Sequence, residues 1–235
     1  VIDPVEDLAS LTVDFPLILV NFKTYREAMG LEAVKLAVTA EEVSKRTGVC
    51  VAVAPQVLDI RPVVEAAEAP VFAQHIDPIG HGQFTGHVLP ESVADAGAAG
   101  TLINHSERRL ELKVIEATIT RSREVNLLSV VCVDTVEKGR AVAKFRPDAV
   151  AIEPPELIGT GTPVSKAKPE VVSGAVEAVK RADPGVRVLC GAGITRGEDA
   201  AAAMRLGAEG VLVASGVVKA KDPYGALLDL AESMR

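Results

Sequence analysis

The sequence predicts an α/β protein, a single (β/α)8 barrel, on three observations. Eight short β-branched runs recur along the chain, their starts about 21 to 38 residues apart. Ala/Glu/Lys-rich stretches with helical spacing separate them, and no low-complexity linker or shift in composition divides the chain. Strict strand–helix alternation forces parallel pairing through right-handed crossovers, and eight such units favour closure into one barrel over an open doubly wound sheet.

The expected strands are Leu17–Asn21, Val49–Ala54, Val71–Gln74, Thr101–Asn104, Leu128–Val133, Ala149–Glu153, Arg187–Gly191 and Gly210–Ala214. Each is a short apolar run of the kind buried on both faces of a parallel sheet. The intervening helices are marked by apolar residues at three- and four-residue spacing, as in Ala33, Leu36, Ala40 and Val43, or Val172, Ala175, Val176 and Val179. Residues 1–14 precede the first run, carry acidic residues and Pro4, and are expected to be a loosely ordered extension, leaving 15–235 as the barrel domain.

Composition supports this architecture. The 235 residues are 48% hydrophobic and 24% charged, enough to bury a core without disulfides or a structural metal. Aromatics make up only 3% and Trp is absent, so the core must be built from small and branched side chains, which suits a parallel sheet wrapped in helices. A net charge of -7 argues against nucleic acid as a partner, because phosphate neutralisation needs a basic face. Cys50, Cys132 and Cys190 are far apart in apolar runs, which reads as buried free thiols in a reducing compartment. No CxxC or HxxxH spacing suggests a metal site, and no apolar run is long enough to cross a membrane. A cytoplasmic protein is expected.

In a barrel of this kind chemistry lies at the C-terminal ends of the strands. Few residues there are polar. The first run ends in Asn21-Phe22-Lys23, the fourth in Asn104-His105-Ser106-Glu107-Arg108-Arg109, and the sixth in Glu153, which runs into a Pro-then-Gly loop. A fixed cation, an imidazole and a carboxylate on one rim are the parts needed to remove a proton beside a carbonyl and stabilise the oxyanion. After the seventh and eighth runs, Cys190-Gly191-Ala192-Gly193-Ile194-Thr195 and Ala214-Ser215-Gly216 leave backbone N–H groups free to approach an anion, the usual phosphate position in barrels.

Together Asn21-Phe22-Lys23, Phe84-Thr85-Gly86, the block from Asn104 to Arg109 and the block from Glu153 to Gly161 resemble the triosephosphate isomerase family. The short archaeal branch, which usually forms homotetramers, is the more similar through Glu153–Ile158 and Ala214–Pro223. The resemblance implies interconversion of dihydroxyacetone phosphate and glyceraldehyde 3-phosphate in glycolysis and gluconeogenesis, without cofactor or metal. It implies that Glu153 moves the carbon proton and that His105 is a neutral electrophile. Lys23 and Asn21 would stabilise the enediolate, and Glu107 would assist Lys23. Residues 154–162 would form a lid, with Ile158 and Gly159 on the substrate and its phosphate. Phe22, Gly191, Gly193, Ala214 and Ser215 complete the expected substrate and phosphate contacts. Thr85 lies where the family presses a loop against a neighbouring subunit, so a homo-oligomer is expected, a tetramer before a dimer.

This chain departs from the family's long form, whose Tyr-Gly-Gly-Ser after the seventh strand is Cys190-Gly191-Ala192-Gly193 here and whose Gly-Gly after the eighth is Ala214-Ser215. The hydroxyls that latch the closed lid in the long form are thus missing. Two other readings stand beside the isomerase: a phosphosugar aldolase forming a Schiff base on Lys23, and a barrel that binds phosphosugars without turnover.

Overall fold

The computed structural model of the chain describes residues 13–154 and 163–235. Strands form at all eight β-branched runs: β1 (Leu17–Asn21), β2 (Cys50–Ala54), β3 (Phe72–Ala73), β4 (Gly100–Ile103), β5 (Leu128–Val133), β6 (Ala149–Ile152), β7 (Arg187–Gly191) and β8 (Gly210–Val213). All pair in parallel, in the order β2-β1-β8-β7-β6-β5-β4-β3, and a parallel bridge between Val53 and Val71 joins the two ends. The sheet is therefore the expected (β/α)8 barrel.

Strand β3 is only two residues long, shorter than the run Val71–Gln74 suggests. Pro70 at its entry has no N–H to donate. Beyond Ala73 a side chain takes over from the ladder, as Gln74 Nε2 donates to the carbonyls of Ala54 at 2.9 Å and Lys23 at 2.8 Å.

Helices fill the connections: α1 (Leu31–Thr47), α2 (Ile60–Ala66), α3 (Pro90–Asp95), α4 (Leu112–Glu124), α5 (Val136–Ala143), α6 (Val164–Ala167), α7 (Pro169–Ala182), α8 (Gly197–Arg205), α9 (Ser215–Val218) and α10 (Pro223–Glu232). The spacing of Ala33, Leu36, Ala37, Ala40 and Val43 puts one stripe of α1 against the sheet, where all five are buried. Gly48 ends α1 in the left-handed conformation, its N–H bonded to the Ser44 carbonyl. Helix α7 starts at Pro169, which sits in the first turn where no intrahelical N–H is needed, and buries Val172, Ala175 and Val179.

The period of two along each strand divides the core into two layers. Leu17, Leu19, Ala52, Ala54, Phe72, Leu102, Val130, Cys132, Ala149, Ala151, Leu189 and Leu212 pack together inside the barrel. Their neighbours Ile18, Val20, Val51, Val53, Val131, Val150 and Val188 face the helices. Phe72 is the large aromatic buried in the inner layer, and it fits because its register partner is Gly100, where an added Cβ would lie 2.3 Å from the ring. Each fully buried Val or Leu contributes roughly 1.5–3 kcal/mol relative to exposure, so two continuous layers give the strand ends a rigid base.

Candidate active site

The same period of two decides which rim residues face inward. On β1 it places Asn21 with Leu17 and Leu19, and after β6 it places Glu153 with Ala149 and Ala151. Asn21 is 4% exposed and Glu153 5%. Both are polar side chains at the open end of an apolar barrel, where their burial costs free energy unless they are used.

Three of the strand ends carry non-glycine residues in the left-handed region: Lys23 (φ 49°), Asn104 (φ 62°) and Ala192 (φ 71°). Such conformations persist where the surroundings over-determine them. At Lys23 the constraints are visible, since its N–H donates to Asn21 Oδ1 at 2.9 Å and its carbonyl accepts from Gln74. At Asn104 the side chain bridges two elements, with Nδ2 donating to the Cys132 carbonyl at 2.8 Å and Oδ1 accepting from the Leu110 N–H at 2.8 Å.

His105 follows directly. Its Nδ1 accepts the backbone N–H of Glu107 at 3.2 Å, which leaves the ring proton on Nε2 in the neutral tautomer. Nε2 then points across the cavity to Glu153 Oε2 at 3.8 Å, beyond hydrogen-bond reach. Glu107 also anchors the cation, its Oε1 accepting from Lys23 Nζ at 2.8 Å. Imidazole, ammonium and carboxylate thus come together from β4, β1 and β6.

Glu153 Oε2 is buried and has no hydrogen-bond partner among the described residues. The floor beneath the carboxylate is Gly191, where an added Cβ would lie 2.5 Å from Glu153 Cγ and 2.9 Å from Oε1. Two thiols flank it. Burial, and then the Glu153 carboxylate beside it, push the Cys132 thiol well above its usual range. The same two causes push Cys190 up to about 12. Both are buried free thiols as expected, whereas Cys50, nearer the barrel's other end, is only half-buried.

A cavity of about 350 Å³ joins these groups to the loops after β7 and β8. Asn21, Lys23, His105 and Glu153 line one part, and Gly193, Ala214 and Ser215 line the other. Ser215 and Gly216 open α9, where first-turn N–H groups have no intrahelical partner. Phe22 does not line the cavity. It falls on the outward phase of β1 and is wholly buried against the helices. Gly191 does not line it either, being covered by Glu153. Ile158, Gly159 and the rest of the expected lid beyond Pro154 lie outside the described residues.

With this geometry in place, comparison with known proteins is decisive. The triosephosphate isomerase family model matches residues 16–234. The chain belongs to the triosephosphate isomerase family. It is 55% identical over 215 residues to the triosephosphate isomerase of Methanosarcina acetivorans, covering 92% of this chain and 97% of the relative. It is 53% identical over 214 residues to that of Methanocaldococcus jannaschii, covering 91% and 98%. With that of Methanothermus fervidus it shares 54% identity over 222 residues, covering 94% and 100%.

Two residues of this triosephosphate isomerase site escape a reading of the sequence. Tyr25 lines the cavity, and Gln74 holds the Lys23 turn from the end of the third strand. Gln74 carried a signal, as the polar residue that ends the third run. Tyr25 carried none, because it reaches the cavity only through the 3-10 turn that starts at Arg26. Its ring also lies under Lys219 Nζ, 4.1 Å from the centroid, which ties the loop after β1 to the one after β8.

Proposed function

We propose that this chain is a triose-phosphate isomerase that interconverts dihydroxyacetone phosphate and D-glyceraldehyde 3-phosphate through an enediolate. The observation that carries the reading is the facing pair. An imidazole whose Nδ1 accepts a backbone N–H, leaving Nε2 to face the cavity, and a buried carboxylate with an oxygen unpartnered among the described residues stand 3.8 Å apart beside a fixed ammonium. The relatives' names and the extent of the match support the reaction.

Glu153 removes the carbon proton and returns it to the neighbouring carbon. The buried setting leaves Oε2 ready to accept, since no described group competes for it. His105 donates from Nε2 to the substrate oxygen as negative charge develops there, and its fixed tautomer keeps that donor aimed. Lys23 supplies positive charge for the enediolate, and Asn21 hydrogen-bonds the substrate oxygen. Glu107 positions two partners at once, Lys23 through its carboxylate and His105 through its N–H. The backbone of Gly193, Ala214 and Ser215 receives the phosphate, while Ile158 and Gly159 act on it from the lid. Neither a cofactor nor a metal takes part.

The Schiff-base alternative needs a neutral Lys23 amine. Lys23 Nζ instead donates a hydrogen bond to Glu107 Oε1 at 2.8 Å, which engages the nitrogen that would have to attack. We further read the chain as a cytoplasmic enzyme of glycolysis and gluconeogenesis that works as a homo-oligomer, a tetramer before a dimer, with 15–235 as one catalytic domain. Leu58, Phe84 and Val57 are exposed apolar side chains, and Val57 shares a groove with Gly86 to Leu89 of the loop after β3, which fits a subunit contact there. The test is isomerase activity on glyceraldehyde 3-phosphate in EDTA-treated buffer. Turnover by the parent and its loss in Glu153→Gln would sustain the reading. A folded parent without turnover would favour the non-catalytic barrel.

A further inference from the structure

The loop after β7 holds two successive left-handed residues, Ala192 (φ 71°) and Gly193 (φ 73°). A non-glycine residue resists that conformation, so something must hold the turn. Asp199, at the third position of α8 and 3% exposed, holds the two residues that carry this turn into the helix. Its Oδ2 accepts the N–H groups of Thr195 at 3.2 Å and Arg196 at 3.1 Å, and the Thr195 hydroxyl at 3.4 Å. Its Oδ1 faces Lys166 Nζ at 2.9 Å, and its backbone carbonyl accepts Ser165 Oγ at 3.1 Å. Lys166 also pairs with Glu198 at 2.7 Å. Ser165 and Lys166 belong to α6, the first element described after residues 155–162. One carboxylate thereby joins Lys166 of α6 to Thr195 and Arg196, and Thr195 lines the cavity two residues beyond Gly193.

Charge gives the arrangement a purpose. A lone buried carboxylate behind a loop that receives a dianion would repel it. Burial raises the Asp199 carboxyl, but the Lys166 ammonium and the Thr195 and Arg196 amides outweigh it and hold the group below the usual range, so it stays ionised and is offset by a cation. We propose that Asp199, with Lys166 as its counter-ion, is a positioning residue for the phosphate end of the substrate. It fixes Thr195 and Arg196, and so anchors the end of the loop that meets the phosphate, and it keeps its own charge from opposing the ligand. The inference rests on the assignment of the phosphate to this end of the cavity.

The test compares the parent with Lys166→Met, Lys166→Arg and Asp199→Asn. For each, kcat and KM on glyceraldehyde 3-phosphate, competitive inhibition by inorganic phosphate, and turnover of unphosphorylated glyceraldehyde are measured. Lys166→Met should raise KM and the phosphate inhibition constant together by about tenfold, equivalent to about 1.4 kcal/mol, with a smaller loss on glyceraldehyde. Lys166→Arg should restore most of the binding, and Asp199→Asn should follow Lys166→Met. If Asp199→Asn does not fold, the Lys166 pair decides alone. Equal losses on both aldehydes with unchanged phosphate inhibition would overturn the inference, leaving a structural role only. A parent that phosphate does not inhibit competitively would overturn the phosphate assignment itself, and the inference with it.

Discussion

Replacing Gly191 by alanine should disable the base without touching it. Gly191 ends β7 on the inner face, and its backbone lies outside the left-handed region, so alanine brings no conformational penalty of that kind. The effect is steric. The new Cβ would stand 2.5 Å from Glu153 Cγ, 2.9 Å from Oε1 and 3.0 Å from Cδ. Carbon atoms settle at about 3.5–4.0 Å, so the carboxylate must retreat by about 1 Å. A displacement of that size costs about 100-fold in turnover where geometry governs proton transfer. Crowding should also cost about 1–3 kcal/mol of stability. The assay is steady-state isomerisation of glyceraldehyde 3-phosphate, with urea unfolding of the same preparation to establish that the variant is folded. Loss should fall on kcat, with KM within about twofold, because the phosphate loops are not moved. A folded Gly191→Ala with the parent's kcat would refute the reasoning, since Glu153 would then be working from another position.

Three further outcomes are expected. Glu153→Asp retracts the carboxylate by one methylene and should lower kcat by about 100-fold or more with little change in KM, as read by the same assay. Stability should fall as pH rises from about 9 towards 12. In that window the unfolded chain has lost the Cys190 proton while the folded protein, with this thiol pushed up to about 12, retains it. The slope is at most about 1.4 kcal/mol per pH unit for that thiol, and urea unfolding at pH 8 and pH 10 should show a smaller loss in Cys190→Ala than in the parent. Finally, specific activity should fall on dilution in step with dissociation measured by light scattering. Activity that survives full dissociation would remove the subunit contact from the account.

Where alternation and the strand-end rule applied, the sequence could be read directly to the site. The runs ending in Asn21, Asn104 and Glu153 pointed at one rim, and the barrel brings Asn21, Lys23, His105 and Glu153 around one cavity. The same rule, carried one residue further, would have excluded Phe22, which sits on the outward phase of the strand that turns Asn21 inward. Gly191 looked like a phosphate-loop glycine because a small residue after a strand has two uses: letting a ligand approach, or making room for a side chain. Only the neighbouring strand shows that Glu153 occupies the space. The role of Asp199 was illegible for a related reason. Its partners Ser165 and Lys166 lie more than thirty residues away in sequence, and an acidic residue in a first helical turn is an ordinary capping choice. The brevity of β3 depends on a side chain from the same segment replacing the ladder, which no propensity reports.

In the proposed mechanism Glu153 carries a proton between adjacent carbons of the substrate. Isomerisation of glyceraldehyde 3-phosphate in deuterated water with EDTA, followed by NMR of the dihydroxyacetone phosphate formed, tests it most directly. The account predicts deuterium bound to the product carbon, because the proton on Glu153 exchanges with solvent before its return, and loss of that turnover in Glu153→Gln. Product free of carbon-bound deuterium, or a Glu153→Gln variant that labels it as the parent does, would contradict it.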